Sequence, residues 1–276
     1  MSLDESRLAI HQVTLRDQWA GRASVEGVAR HGVRRTAVWR EKLHEIGLGQ
    51  GSEILRDNGM QVSGLCFGGL LTSPDANALE DSIDDNRRVI EEAAAIGAGH
   101  VVVLSGGLEG QSRDLAGARG RAVDAIARLI PDARAAGVQL AIEPLHPMIC
   151  ANRAALCTLE EANDWCDQLG AEDVVGIAVD TYAVWWDPNL DREIERAGSR
   201  IVAFHVNDWL VDTTDLRLDR GMMGDGVIDI PGIRRAIEKA GYDGACEVEI
   251  FSAENWWRRD PDEVVRVIQG RYETAV

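Results

Sequence analysis

The segments His100-Val101-Val102-Val103-Leu104 and Val138-Gln139-Leu140-Ala141-Ile142 flank an amphipathic stretch, Leu115–Ala136, that closes on Gly137. An apolar, β-branched run, then a helical period, a glycine stop and a second apolar run make one strand–helix–strand unit. Working outward from it, the same alternation recurs along the chain. Leu8–Leu15 precedes a helix near Ser24–His31, Arg35–Trp39 one near Ser52–Asn58, and Gln61–Phe67 one near Leu79–Ile96. Beyond the central unit, Val138–Ile142 is followed by Thr158–Leu169, Val174–Val179 by Leu190–Ala197, Ile201–Phe204 by Pro231–Ala240, and Ala245–Ile250 by Pro261–Arg271. Eight strand-then-helix units with no Pro/Ser-rich linker between them predict an α/β fold, a single (β/α)₈ TIM barrel spanning residues 1–276 as one domain. A doubly wound dinucleotide-binding sheet is disfavoured. Gly68-Gly69 and Gly106-Gly107 do not form the G-x-G-x-x-G turn that such a sheet places after its first strand.

The charge balance narrows function. With 29 Lys+Arg against 46 Asp+Glu the formal net charge is −17, which argues against nucleic acid and against an anionic membrane surface as partners. No apolar run reaches the roughly 18 residues of a membrane span, and Met1–His11 lacks the basic start and apolar core of a signal peptide, so a cytoplasmic protein is expected. Cys66, Cys150, Cys157, Cys166 and Cys246 are odd in number and never spaced C-x-x-C, which fits reduced, packed thiols. Among the aromatic residues, eight Trp outnumber three Tyr and three Phe. That bias calls for a site that uses flat, large rings.

In a barrel, side chains at the carboxyl ends of the strands face one shared mouth. Here strand five ends Ala141-Ile142-Glu143, strand six Ala178-Val179-Asp180, strand seven Ala203-Phe204-His205, and strand eight carries Glu247-Val248-Glu249. Singly, each could be a helix cap or a loop ion pair. Jointly, one His and three carboxylates at one mouth would repel one another strongly unless a cation sat among them. A donor set of three oxygens and one nitrogen suits one divalent ion, Mn²⁺ first, with Mg²⁺, Co²⁺ or Zn²⁺ as alternatives.

The segments Leu140-Ala141-Ile142-Glu143-Pro144, Val179-Asp180-Thr181-Tyr182, Phe204-His205-Val206-Asn207-Asp208 and Gly241-Tyr242-Asp243-Gly244, the last followed five residues later by Glu249, resemble the xylose-isomerase-like TIM-barrel superfamily of sugar isomerases and epimerases. The resemblance spans nearly the whole chain. It implies Glu143, Asp180, His205 and Glu249 as metal ligands, with Glu249 preferred over Glu247. It further implies that Glu143 and Glu249 remove and return a proton next to a sugar carbonyl through a metal-bound enediolate. Two positions depart from the family pattern. Ala183 stands three residues after Asp180 where relatives carry His, and Val211 stands six after His205 where ketose epimerases carry Arg. His146, three residues after Glu143, is therefore a candidate for catalysis or substrate binding, and Arg217 or Arg220 for the missing arginine.

His11, Trp186 and Trp256 complete the expected substrate contacts. Asp208 either supports His205 from behind or caps the following turn. Five tryptophans, Trp185, Trp186, Trp209, Trp256 and Trp257, fall in mouth loops, where indoles stack on sugar faces or make subunit contacts. The resemblance implies a small-molecule sugar or glycoside as partner and a homo-oligomer. A lyase or dehydratase is the runner-up, including a subunit that cleaves 3-oxo-C-glycosides together with a small partner subunit. The superfamily's abasic-site endonuclease branch is disfavoured by the charge of −17. Because no Gly-rich phosphate loop follows strands seven and eight, an unphosphorylated substrate is expected.

Overall fold

The computed structural model describes residues 4–276. Eight parallel strands, β1 (Leu8–His11), β2 (Arg35–Trp39), β3 (Gln61–Gly69), β4 (His100–Leu104), β5 (Gln139–Glu143), β6 (Val175–Asp180), β7 (Ile201–Val206) and β8 (Cys246–Val248), close in chain order, with β8 pairing back onto β1. The chain is therefore the single (β/α)₈ barrel expected from its alternation. Around the strands run α1 (Gly21–Arg30), α2 (Arg40–Ile46), α3 (Leu48–Asp57), α4 (Ala76–Ala95), α5 (Leu115–Ala136), α6 (Leu159–Leu169), the single turn α7 (Thr181–Val184), α8 (Leu190–Ala197), α9 (Ile230–Lys239) and α10 (Pro261–Ala275).

Local chemistry explains where helices begin and end. Asp75, Asp114, Thr158, Asp229 and Asp260 each accept a backbone N–H of the first turn, which satisfies donors that the helix itself leaves unpaired. α5 and α6 end on left-handed Gly137 and Gly170, conformations a Cβ would strain. Two sequence expectations need correction. The first strand does not run to Leu15: the His11 ring accepts the Val13 N–H and turns Gln12–Leu15 into a 3₁₀ helix. A helix, α2, also follows β2 at once, and Gly47 at φ 80° separates it from α3. Its apolar signal is short because only Lys42 and Leu43 of its residues are buried.

Alternation sorts the strands into two faces. Successive side chains point to opposite sides, so Leu140 and Ile142 pack outward under the helices while Ala141 and Glu143 share the barrel interior. The same holds for Ala178 with Asp180 and for Ala203 with His205. Ala141, Ala178 and Ala203 form a small, fully buried cluster of their own. Small residues here leave volume for the larger polar side chains above and beside them. At the base, Gly64 lies against the His100 imidazole where any Cβ would collide, so glycine is what admits that ring.

This predicts that Ala141→Leu, although apolar and at a buried position, destabilises the protein by about 1–3 kcal/mol through overpacking. Urea denaturation measures it, and a neutral result would mean the interior is looser than described.

Candidate metal centre

Four side chains meet at the barrel mouth. Glu143 ends β5, Asp180 ends β6, His205 lies on β7, and Glu249 follows β8, its backbone N–H still bonded to Val206 O. All four are buried, and one ligand atom from each lies within 4.8 Å of the others. Bonds of about 2.0–2.2 Å to one ion put ligand atoms at most about 4.4 Å apart, so closure needs only a small contraction. His205 Nδ1 stands 3.1 Å from Glu143 Oε1 and 3.9 Å from Glu249 Oε2. Asp180 is oriented by Tyr182 N–H (3.0 Å) and Asn207 Nδ2 (2.7 Å), both donating to Oδ1. The His11 ring nitrogen Nδ1 already accepts a backbone N–H, so the neutral ring carries its proton on Nε2, which faces Glu249 Oε1 at 3.5 Å.

The charge count fits a divalent cation. Arg220 Nη1 lies 2.9 Å from both Asp180 Oδ2 and Glu249 Oε2, with its guanidinium held between the rings of Tyr182 and Phe251. Three carboxylates and one guanidinium leave two negative charges uncompensated, the charge a divalent ion carries. Burial, together with the neighbouring carboxylates, lifts Glu143 to about 7 in spite of its His205 contact. The donor set of three carboxylates and an imidazole therefore fits an ion such as Mn²⁺ or Zn²⁺.

Glu247 occupies a different place from its rival Glu249. It points to the interior one level below, 3.5 Å from His205 Nε2 and 3.7 Å from His100 Nε2. Burial would raise its pKa, but the contact with His205 outweighs this and holds it down to about 2. A carboxylate set against one ring nitrogen of an imidazole fixes which nitrogen carries the proton and which offers its lone pair. Sequence reasoning weighed Glu247 only as a ligand and missed this supporting position. It also gave no role to His100, whose place at the start of β4 lies at the opposite end of the strand from the mouth.

A cavity of about 280 Å³ opens onto the centre. Glu143, Glu249 and Arg220 form its floor; Trp39, Cys66, Phe67, Leu104, Leu145, Ile149 and Phe251 its apolar wall; Arg16, Glu41, Arg153 and Arg217 its charged part. Trp39, Phe67 and Arg153 were not singled out in the sequence, because only barrel closure brings β2, β3 and the loop after β5 to the mouth. The expected rim residues sit further back. His146 stacks on Trp209 at 4.8 Å beside Trp186, and Trp186 donates to Ala183 O. Trp256 is buried, donates to Asp225 Oδ2 and carries Arg259 over its ring. None of these three contributes to the cavity lining.

His146 and Asp208 acquire specific chemistry. His146 Nδ1 accepts the Met148 N–H, and burial pushes the ring down to about 4, so near neutral pH it is an uncharged Nε2–H donor. Asp208 turns away from His205. Its carboxylate accepts the N–H groups of Trp209, Gly224, Gly226 and Ile228, so of the two roles considered it serves the loop 209–228.

A closed parallel barrel with a cluster of metal-compatible ligands at the carboxyl ends of its last four strands defines the class of protein. The family profile described as xylose isomerase-like TIM barrel matches residues 19–267, and the chain belongs to that family. Protein SMc04130 from Sinorhizobium meliloti 1021 is 50% identical, with 99% of each chain covered and a TM-score of 0.96. The IOLI protein with a binding zinc atom is 19% identical over 96% of this chain and 95% of its own, at TM-score 0.83. D-allulose 3-epimerase from Methylomonas sp. in complex with D-allulose is 20% identical over 98% of both chains, at TM-score 0.78. A search of curated protein sequences gave no match. Among the described residues no helix is long and apolar enough to cross a membrane.

Asp208→Ala is expected to loosen the loop 209–228 while leaving the ligand cluster in place. Limited proteolysis should then cut within that loop, and an unchanged digestion pattern would show that the four N–H contacts do not hold it.

Proposed function

We propose that the chain is a divalent-metal-dependent sugar isomerase or epimerase that moves a proton at the carbon next to a carbonyl. The observation that carries this is the four-ligand cluster at the floor of a sugar-sized cavity, with glutamates from β5 and from behind β8 three strands apart around the ring. The relatives support it in kind: a zinc-binding IOLI protein and an epimerase bound to a ketose share the fold. When bound, the ion supplies Lewis acidity, which brings the acidity of a C–H beside a carbonyl into the reach of a carboxylate.

The chain's own groups do the rest. Glu143 takes the proton on one side of the reacting carbon and Glu249 returns one on the other, the latter steadied by the His11 Nε2–H. Arg220 donates to substrate oxygens above the centre. Trp39, Phe67 and Phe251 cover the apolar faces of the sugar and keep water from the reacting carbon.

Two measurements test this reading. Titration of metal-free protein with Mn²⁺ or Zn²⁺ should saturate at about one ion per chain, with Glu249→Gln weakening affinity by more than about 100-fold and Glu247→Gln by only about 10–100-fold. The opposite ranking would make Glu247 the ligand. Ketoses turned over in D₂O should gain deuterium beside the carbonyl; turnover without exchange sinks the proton-transfer mechanism, and release of water or an aglycone assigns a lyase.

A further inference from the structure

Of the four arginines that line the cavity, two are already neutralised. Arg220 is held by Asp180 and Glu249, and Arg16 lies 3.4 Å from Asp17 and 4.0 Å from Glu41. Among the described residues, the guanidiniums of Arg153 and Arg217 make neither an ion pair nor a hydrogen bond. In a chain with 46 carboxylates to 29 basic side chains, two unpaired guanidiniums in one cavity are not short of available partners. They come from different loops, Arg153 after β5 and Arg217 after β7, yet they are close enough for the charge of Arg217, after burial, to push Arg153 below its ordinary pKa. Arg153 is half-buried and Arg217 exposed at the cavity's edge, so their mutual repulsion is partly screened by water, and a third group of opposite sign would relieve what remains.

We infer that Arg153 and Arg217 form the binding site for an anionic group of the substrate, a carboxylate or a phosphate, at the end away from the reacting carbon. This rests on the ligand cluster being the reacting end. Glu143 and Glu249 would repel an anion at the floor, whereas the guanidiniums would attract it at the rim, so the charge distribution also sets the direction in which the substrate enters. Leu104, Leu145 and Ile149 line the same cavity and offer apolar surface to the C–H face of a sugar unit. Both loops are tied down. The Arg153 N–H bonds to Ile149 O, the Arg217 N–H to Asp215 Oδ1, and Asp208 pins the longer loop. The fork geometry of arginine reads carboxylate and phosphate oxygens in pairs, which removes the need for the glycine-rich phosphate loop that the sequence lacks. A sugar acid would agree with the expectation of an unphosphorylated substrate, and a sugar phosphate would depart from it.

Binding of three probes of matched skeleton to the Mn²⁺-loaded protein, D-fructose, D-fructose 6-phosphate and D-fructuronate, tests this by calorimetry. At least one anionic probe should bind about ten-fold or more tighter than D-fructose, with the advantage shrinking as salt rises. Whichever anion keeps the advantage identifies phosphate or carboxylate as the group recognised. In the R153M/R217M double variant the preference should vanish while Mn²⁺ affinity stays unchanged; R153K/R217K should restore part of it. Equal affinity for all three probes, no binding of either anion, or a preference that survives the double methionine variant overturns the inference. Failure of the metal centre itself is read separately, as absence of Mn²⁺ binding to the wild-type chain.

Discussion

His205 is the interaction on which the interior depends. Its two ring nitrogens face Glu143 above and Glu247 below, and Glu249 lies within 3.9 Å, so one imidazole links the mouth to the layer beneath it. These side chains are buried, and unpaired charge there is costly. Contact with Glu143 and Glu247 outweighs burial and keeps the ring's pKa well above that of an ordinary imidazole. The rest follows from that demand for space and charge balance. Alanines fill the interior positions beside it, Gly64 makes room for His100, and Arg220 shields two of the carboxylates.

The rim answers a different need, which is to hold long loops over this centre without mobile backbone. One carboxylate, Asp208, gathers four backbone N–H groups of the loop after β7, and the Tyr182 hydroxyl donates to Leu216 O in the same loop. Trp256 and Trp257 lock the segment after β8 through hydrogen bonds to Asp225 and to Val13 O. The tryptophan bias thus serves mainly to anchor loops, while Trp39, Phe67 and Phe251 provide the aromatic surface of the cavity. Loops of this rim also carry Arg153 and Arg217, so the cavity combines buried carboxylates with guanidiniums that have no ion-pair partner among the described residues.

Much of this was legible in the chain. The eight alternating runs gave the barrel, and β2 and β4 run over the residues expected. Glu143, Asp180 and His205 were readable because each follows an apolar run whose end barrel geometry turns towards the mouth, whereas Glu249 was preferred over Glu247 through the family resemblance. Less legible were residues whose role depends on partners far away in sequence. Glu247 looked like an alternative ligand because period two places it on the same face as Glu249, and only the vertical step between levels separates their roles. Asp208 beside His205 could have faced either way, and the loop's four N–H groups decided the matter. The strand from Leu8 ended early since a histidine side chain competed for a backbone N–H.

What the sequence determined by itself was the order of elements, the closed barrel they imply, and the candidate residues at strand ends, because each rests on local periodicity and on one general property of the fold; the choice of Glu249 over Glu247 came from the family resemblance. Tertiary structure alone decided which residues share the cavity and which stand behind it. Trp186 and Trp256 sit in the second group and Arg153 and Arg217 in the first, although all four belong to loops after a strand. The physical reason is that loop side chains obey no period. Their direction is set by whichever hydrogen bonds and packed surfaces lie nearby, and those exist only once the strands have closed.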